Sequence, residues 1–159
     1  MDKVIFLDID GVMHVISQGH DKFGGIFHKH FEDNLQWIIE ETGAKIVISS
    51  SWRLNGLEEM QQMWQERNLP GEVIDITPNL TYGVGLKTST PRGKEIKKWL
   101  DENKVANYVI IDDDTDFLKE QMKNFVQTSE NEDHPDCIDI GYGLTRKCAE
   151  KAIQILNNK

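Results

Sequence analysis

The sequence predicts an α/β fold built on a parallel sheet with helices on both faces. Short Val- and Ile-rich runs alternate with longer segments of helical period, which is the pattern of strands connected by crossover helices. The runs are continuously apolar, as in strands buried on both faces. Three of them also end in polar clusters, and open parallel sheets bind ligands beyond the carboxyl ends of their strands.

The first strand is read at 4–7, followed by an unassigned stretch, 12–30, taken as a small flap. Residues 33–41 place Leu35, Ile38 and Ile39 on one helix face and stop at Gly43, a natural C-cap residue. A second strand falls at 45–48. Residues 57–67 carry Leu57, Met60 and Trp64 at helical spacing and end before Pro70; this stripe, with Met63, reads as core packing and not as a cofactor box. A third strand lies at 73–76. Thr90 as N-cap and Pro91 at the first helical position open the next helix, whose buried stripe is Ile96, Trp99 and Leu100. Strands at 108–111 and 124–127 follow. The acidic stretch 129–139 stays unassigned, and a last helix starts at Thr145 and buries Ala149, Ala152, Ile153 and Leu156.

With 159 residues, 38% apolar and 28% charged, the chain fits one soluble domain with a core. No linker or internal repeat breaks it, and disordered, collagen-like and mucin-like classes are excluded. Eighteen Lys and Arg against 27 Asp and Glu give a net charge of −9, which disfavours non-specific binding to nucleic acid or membranes while leaving room for a local basic groove. Cys137 and Cys148 form neither a disulfide scaffold nor a zinc motif. The longest apolar runs are far too short to cross a membrane, and the start MDKVIFLDID has no signal-peptide core. A cytoplasmic protein is expected.

The chemistry collects in four places. Asp8 and Asp10 are two apart on an extended segment, so both carboxylates face one side, and Gly11 lets the chain turn. Such a pair can divide its labour, one carboxylate attacking phosphorus and the other holding a proton; the same tetrapeptide also fits a plain turn or a fragment of a calcium loop. Ser49, Ser50 and Ser51 end the second strand and suit either helix capping or the cradling of phosphate oxygens. Asp112, Asp113 and Asp114 end the fourth strand. Their mutual repulsion is relieved by a hard cation such as magnesium, with Asp8, Asp112 and a backbone carbonyl as ligands, while Asp114 also suits an exposed helix N-terminus. Arg92-Gly93-Lys94 puts positive charge and free N–H groups at a helix start, a setting for phosphate.

Together these residues resemble the haloacid dehalogenase (HAD) superfamily of phosphatases. VIFLDIDGV at 4–12, KIVISSSW at 45–52, RGKEI at 92–96 and VIIDDDTD at 109–116 are similar to its four motifs, in order and across essentially the whole chain. The resemblance implies a three-layer Rossmann-like fold, and neither insertion position, 11–44 or 53–90, has room for a large cap. It also implies a Mg2+-dependent phosphomonoesterase. Asp8 would be the nucleophile that forms an aspartyl-phosphate, and Asp10 the general acid and then base, also lending its backbone carbonyl to the metal. Asp112 would be the direct metal ligand, with Asp113 and Asp116 as supporting or alternative ligands. Ser50, beside Ser51, is favoured for the phosphate-binding hydroxyl, and Arg92 for the cation, with Lys94 as a second candidate. An Asp at position 10 points to phosphohydrolases over phosphonatase, ATPase or dehalogenase branches.

SSSWR and IIDDD are also similar to HAD domains of phage and bacterial nucleic-acid repair proteins, some of which remove terminal phosphates. The expected partner is therefore a phosphorylated small molecule, a nucleotide or a nucleic-acid end. Trp52, Arg53, Lys87, Arg92 and Lys94 would offset the overall negative charge at the mouth. Trp52 is either a base-stacking platform or a core residue. Among His14, His20, His28 and His30, the His28-Lys29-His30 run reads as a solvated loop without metal-ligand partners. Two other readings stand beside hydrolysis: a non-catalytic module that senses a phosphorylated ligand or protein, and a phosphotransferase.

Overall fold

Central strand β1 (Lys3–Leu7) is buried along its last four residues because the sheet continues on both sides of it. It pairs in parallel with β4 (Lys45–Ile48) on one side and β6 (Asn107–Asp112) on the other, Leu7 lying opposite Ile48 and Ile111. Outside these lie β5 (Val73–Ile76) and β7 (Phe125–Gln127), so the computed structural model has a five-stranded parallel sheet in the order β5-β4-β1-β6-β7. It describes residues 1–15, 17–80, 90–128 and 143–158. The acidic stretch 129–139, which includes Cys137, and Lys87 lie outside the described residues.

The two faces of β1 seed two cores. Ile5 and Leu7 join Phe31, Leu35 and Ile38 of α1 (Lys29–Thr42), Met60, Met63 and Trp64 of α2 (Leu57–Glu66), and Ala149, Ala152 and Leu156 of α4 (Arg146–Asn157). Val4 and Phe6 point the other way, onto Ile96 and Trp99 of α3 (Arg92–Glu102). Phe6 meets Trp99 edge-on at 5.3 Å between ring centres and Tyr108 at 5.8 Å. Helices thus cover both faces, in three layers. Burial of each such aliphatic or aromatic side chain contributes about 1.5–3 kcal/mol.

Several element boundaries differ from the sequence reading for identifiable reasons. Helix α1 begins at Lys29, four residues early, with His28 as an N-cap that makes no side-chain cap. His28-Lys29-His30 is therefore a helix start and not a loop; what holds it is the buried ring of Phe31 and the bond from Asn34 Nδ2 to Leu144 O at 2.9 Å. Pro91, not Thr90, is the N-cap of α3, since Asp116 satisfies the helix start from another loop: its Oδ2 accepts from Arg92 N at 2.9 Å and its carbonyl from Gly93 N at 3.0 Å. Asp114 starts no α-helix; its Oδ1 accepts from Thr115 N within a turn, and a 3₁₀ helix follows at Lys119–Asn124. Ile153 is only half-buried on α4. Gly43 does end α1 in the left-handed conformation, at φ 67°, and Thr145 does cap α4, its side chain accepting from Cys148 N.

Part of the unassigned 12–30 stretch is a small antiparallel hairpin, β2 (His20–Asp21) and β3 (Gly24–Gly25). Among the described residues there is no large cap. Arg67, just past α2, anchors the hairpin: Nε donates to Asp21 Oδ2 at 2.8 Å, and NH2 donates to Asp21 Oδ1 at 2.6 Å and to Gly24 O at 3.1 Å. These bonds to Arg67 hold the Asp21 carboxyl down at about 2. Arg67→Ala is expected to release this hairpin alone. Amide exchange at 20–25 should quicken by about tenfold or more, with β1 and β6 unaffected; unchanged exchange in the hairpin would show that its anchor lies elsewhere. No described helix is long and apolar enough to cross a membrane.

Candidate active site

The polar clusters that end β1, β4 and β6 become neighbours because these are the three central strands. From β1 the chain steps outward through β4 to β5, then returns to β6 on the other side. The strand order therefore reverses beside β1, the position at which open parallel sheets form a crevice.

Asp8 is buried, its backbone N–H continuing the ladder to Ile111 O at 3.0 Å, and its Oδ1 accepts from Ile9 N at 2.8 Å. Asp112 is 1% exposed, and its Oδ1 accepts from Asp114 N at 2.9 Å. Half-buried Asp113 completes a cluster in which the carboxylate oxygens of Asp8, Asp112 and Asp113 lie within 4.8 Å of one another. Gly11, at φ 83°, passes so close that a Cβ there would run into the Asp113 carboxylate. Only glycine tolerates both the backbone angle and the approach.

Arg92 is the cation that α3 delivers to this cluster. Its NH1 lies 3.0 Å from Asp8 Oδ1 and 3.1 Å from Asp112 Oδ2, and donates to Ser49 O at 2.9 Å. Burial opposes the guanidinium charge, but the two carboxylates outweigh it and raise its pKa. Lys94, two residues on, is exposed. Side chains two apart on a helix point in nearly opposite directions, so one cannot stand in for the other.

At the end of β4, Ser49 and Ser50 are buried and Ser51 is exposed. Ser50 Oγ caps the 3₁₀ helix Ser51–Asn55 by accepting from Trp52 N at 3.3 Å; its hydroxyl hydrogen is left to donate. Ser49 Oγ is buried with no hydrogen-bond partner. Arg53 is a buried brace: NH1 donates to Ser50 O at 2.9 Å, and NH2 reaches Glu95 Oε1 and Oε2 at 2.9 and 2.8 Å.

Asp10 stands apart from the carboxylate cluster, with its side chain 61% exposed. Trp52 Nε1 donates to its Oδ2 at 3.1 Å, and His14 Nδ1 lies 3.5 Å from its Oδ1. The Trp52 ring packs 5.9 Å from that of Phe27 and against Gly24, the core-side contact that the sequence left open against base stacking. Asp116 is placed at the start of α3, on the Arg92 backbone. Sequence reasoning missed His14 and Glu95. Glu95 had a signal, a carboxylate on the apolar stripe of α3 beside Ile96, where a charge requires a buried partner.

The cluster's electrostatics fit a hard divalent cation. Burial pushes the Asp8 carboxyl up to about 6 despite Arg92, and burial followed by the Asp8 charge pushes Asp112 up to about 9. Three oxygen donors with no sulfur or imidazole among them match magnesium chemistry. A linkage prediction follows. Both carboxyls hold protons in the folded state that the unfolded chain gives up above about pH 4. Their contribution to the stability of the metal-free protein is therefore full below that pH and falls as pH rises through 6 toward 9. A divalent cation bound by the cluster would displace those protons and should flatten the loss. Melting curves at pH 5, 7 and 9, with chelator or magnesium, test this; a metal-free protein that gains stability across the range refutes it.

A parallel α/β sheet covered by helices, with an acidic cluster at the switch point, fits the HAD superfamily, whose members generally catalyse phosphoester hydrolysis. Within it, the chain belongs to the family described as the HAD domain in Swiss Army Knife RNA repair proteins, whose model matches residues 4–132. No curated protein matches the chain.

Proposed function

We propose that the protein is a Mg2+-dependent phosphomonoesterase that works through an aspartyl-phosphate on Asp8, with the terminal phosphate of a nucleotide or nucleic-acid end as substrate. The observation that carries this reading is Arg92 bridging Asp8 and Asp112 inside the three-carboxylate cluster. The family's description as a domain of RNA repair proteins favours nucleic-acid ends over sugar phosphates.

A magnesium ion held by Asp8, Asp112, Asp113 and the Asp10 carbonyl would supply charge neutralisation between the nucleophile and the phosphoryl oxygens. Arg92 holds Asp8 in place and adds positive charge on the same side. Ser50 Oγ–H and the N–H groups after β4 are the donors for phosphate oxygens, with Ser51 at the mouth. An Asp8 carboxylate oxygen attacks phosphorus, the ester P–O bond breaks, and Asp10 gives its proton to the departing alkoxide. Asp10 then takes a proton from water as that water attacks the acyl phosphate, which frees inorganic phosphate and restores Asp8.

Phosphate release from sugar phosphates, 5′- and 3′-nucleotides and a 3′-phosphorylated oligonucleotide, with and without magnesium, tests the reading. Turnover of the oligonucleotide or nucleotides, lost on chelation, is expected. Stabilisation by phosphate ligands without any turnover would leave a binding module, and phosphate appearing on an added alcohol instead of in solution would mark a transferase.

A further inference from the structure

We propose that Trp52 and His14 are positioning residues that hold the Asp10 carboxylate for proton transfer, and that the β2–β3 hairpin is the buttress that sets them. The inference rests on the phosphatase reading and concerns how its acid is aimed. An Asp with a side chain 61% exposed has no packing to select its rotamer, so whatever orients it must come from a hydrogen bond or an ion pair. Two groups from different elements address its two oxygens. The Trp52 indole N–H comes from the 3₁₀ helix after β4, 3.1 Å from Oδ2, and His14 Nδ1 comes from the turn after β1, 3.5 Å from Oδ1.

Each ring is backed by one glycine of β3. A Cβ on Gly24 would lie 3.2 Å from Trp52 Cη2, and one on Gly25 would lie 2.5 Å from His14 Nε2. The glycine backbone of β3 therefore passes close to the edges of both rings, an approach that side chains would break. His14 Nε2 is buried there without a hydrogen-bond partner. An imidazole whose outer nitrogen goes unsatisfied is not placed for its own stability, whereas its Nδ1 side faces Asp10. Phe27 supports the Trp52 ring from below. The hairpin is in turn tied to α2 and the residue after it, by Lys22 to Glu66 at 2.9 Å and by Arg67 to Asp21.

Leaving-group dependence separates positioning of an acid from general structural support. A nitrophenolate departs without a proton, whereas an alkoxide or ribose oxygen needs one. Trp52→Phe keeps the ring and removes the N–H. It should lower kcat/KM, which reports the leaving-group step alone, by about tenfold for an alkyl or nucleoside phosphate and by less than about threefold for p-nitrophenyl phosphate, and leave the melting temperature near wild type. Asp10→Asn provides the benchmark, with the same selectivity and a larger loss. His14→Ala should reproduce the pattern and His14→Asn, which keeps an N–H near the Nδ1 position, should restore it in part. Equal losses of kcat/KM on both substrates, or none on either, overturn the positioning role while the phosphatase reading stands. Absence of turnover by the wild-type protein on every substrate overturns both.

Discussion

Asp8→Asn is expected to abolish phosphate release while raising the melting temperature of the metal-free protein. The first effect follows from losing the atom proposed to attack phosphorus; a drop of about 10³-fold or more is the scale for removing a nucleophile. The second follows from the crowding of Asp8, Asp112 and Asp113. Asp8 is buried and its carboxyl is pushed up to about 6, so at pH 8 its ionised form is held at a cost relative to the unfolded chain. A neutral amide removes that cost and relieves Asp112, for a gain of about 1–3 kcal/mol. Arg92 keeps Asp112 and the Ser49 carbonyl as partners. Magnesium should stabilise the wild-type protein and much less the variant, so the order of melting temperatures reverses when metal is added. Residual turnover above about one per cent of wild type removes Asp8 from the nucleophile's role. A lower metal-free melting temperature refutes the account of the cluster as electrostatically strained.

The same cluster shows what a sequence makes legible. Continuous apolar runs ending in Asp8, Ser49 and Asp112 mark the carboxyl ends of strands, and parallel topology then brings those ends together; sheet and convergence both follow from local pattern. The choice between Arg92 and Lys94 does not. It depends on helix phase, which moves by 100° per residue, and the α3 start was displaced by one residue because its N–H groups are satisfied by Asp116 across the chain. The start of α1 at Lys29 was hidden for a related reason: His28 carries no capping signal, and a buried Phe31 does the work instead. The Asp10 partners were out of reach because the hairpin that backs them holds its rings by backbone contact at Gly24 and Gly25, and two-residue strands leave no periodicity to read.

Breaking the Arg53–Glu95 pair is expected to have the largest effect on stability of any single change outside the apolar cores. The side chains are 8% and 3% exposed and meet through both Glu95 oxygens at 2.8 and 2.9 Å. Arg53 also donates to Ser50 O, and Glu95 Oε2 accepts from Leu80 N at 2.9 Å. Burial already works against the Arg53 charge, so removing Glu95 leaves a desolvated guanidinium, and removing Arg53 leaves a desolvated carboxylate. Either Arg53→Ala or Glu95→Ala should therefore cost about 3–5 kcal/mol, a fall of roughly 6–20 °C in melting temperature for a chain of this size. Glu95→Gln should cost nearly as much despite its matching shape, because the unpaired charge and not the lost volume sets the penalty. The double replacement Arg53→Met with Glu95→Leu should recover most of the stability without recovering activity. Arg53 fixes the carbonyl of Ser50, Glu95 lies one turn beyond Arg92 on α3, and together they hold the segment after β4 against the helix that carries the arginine. A double variant as active as wild type would limit the pair to stability alone; single variants within about 1 kcal/mol of wild type would show that water reaches the pair and screens it.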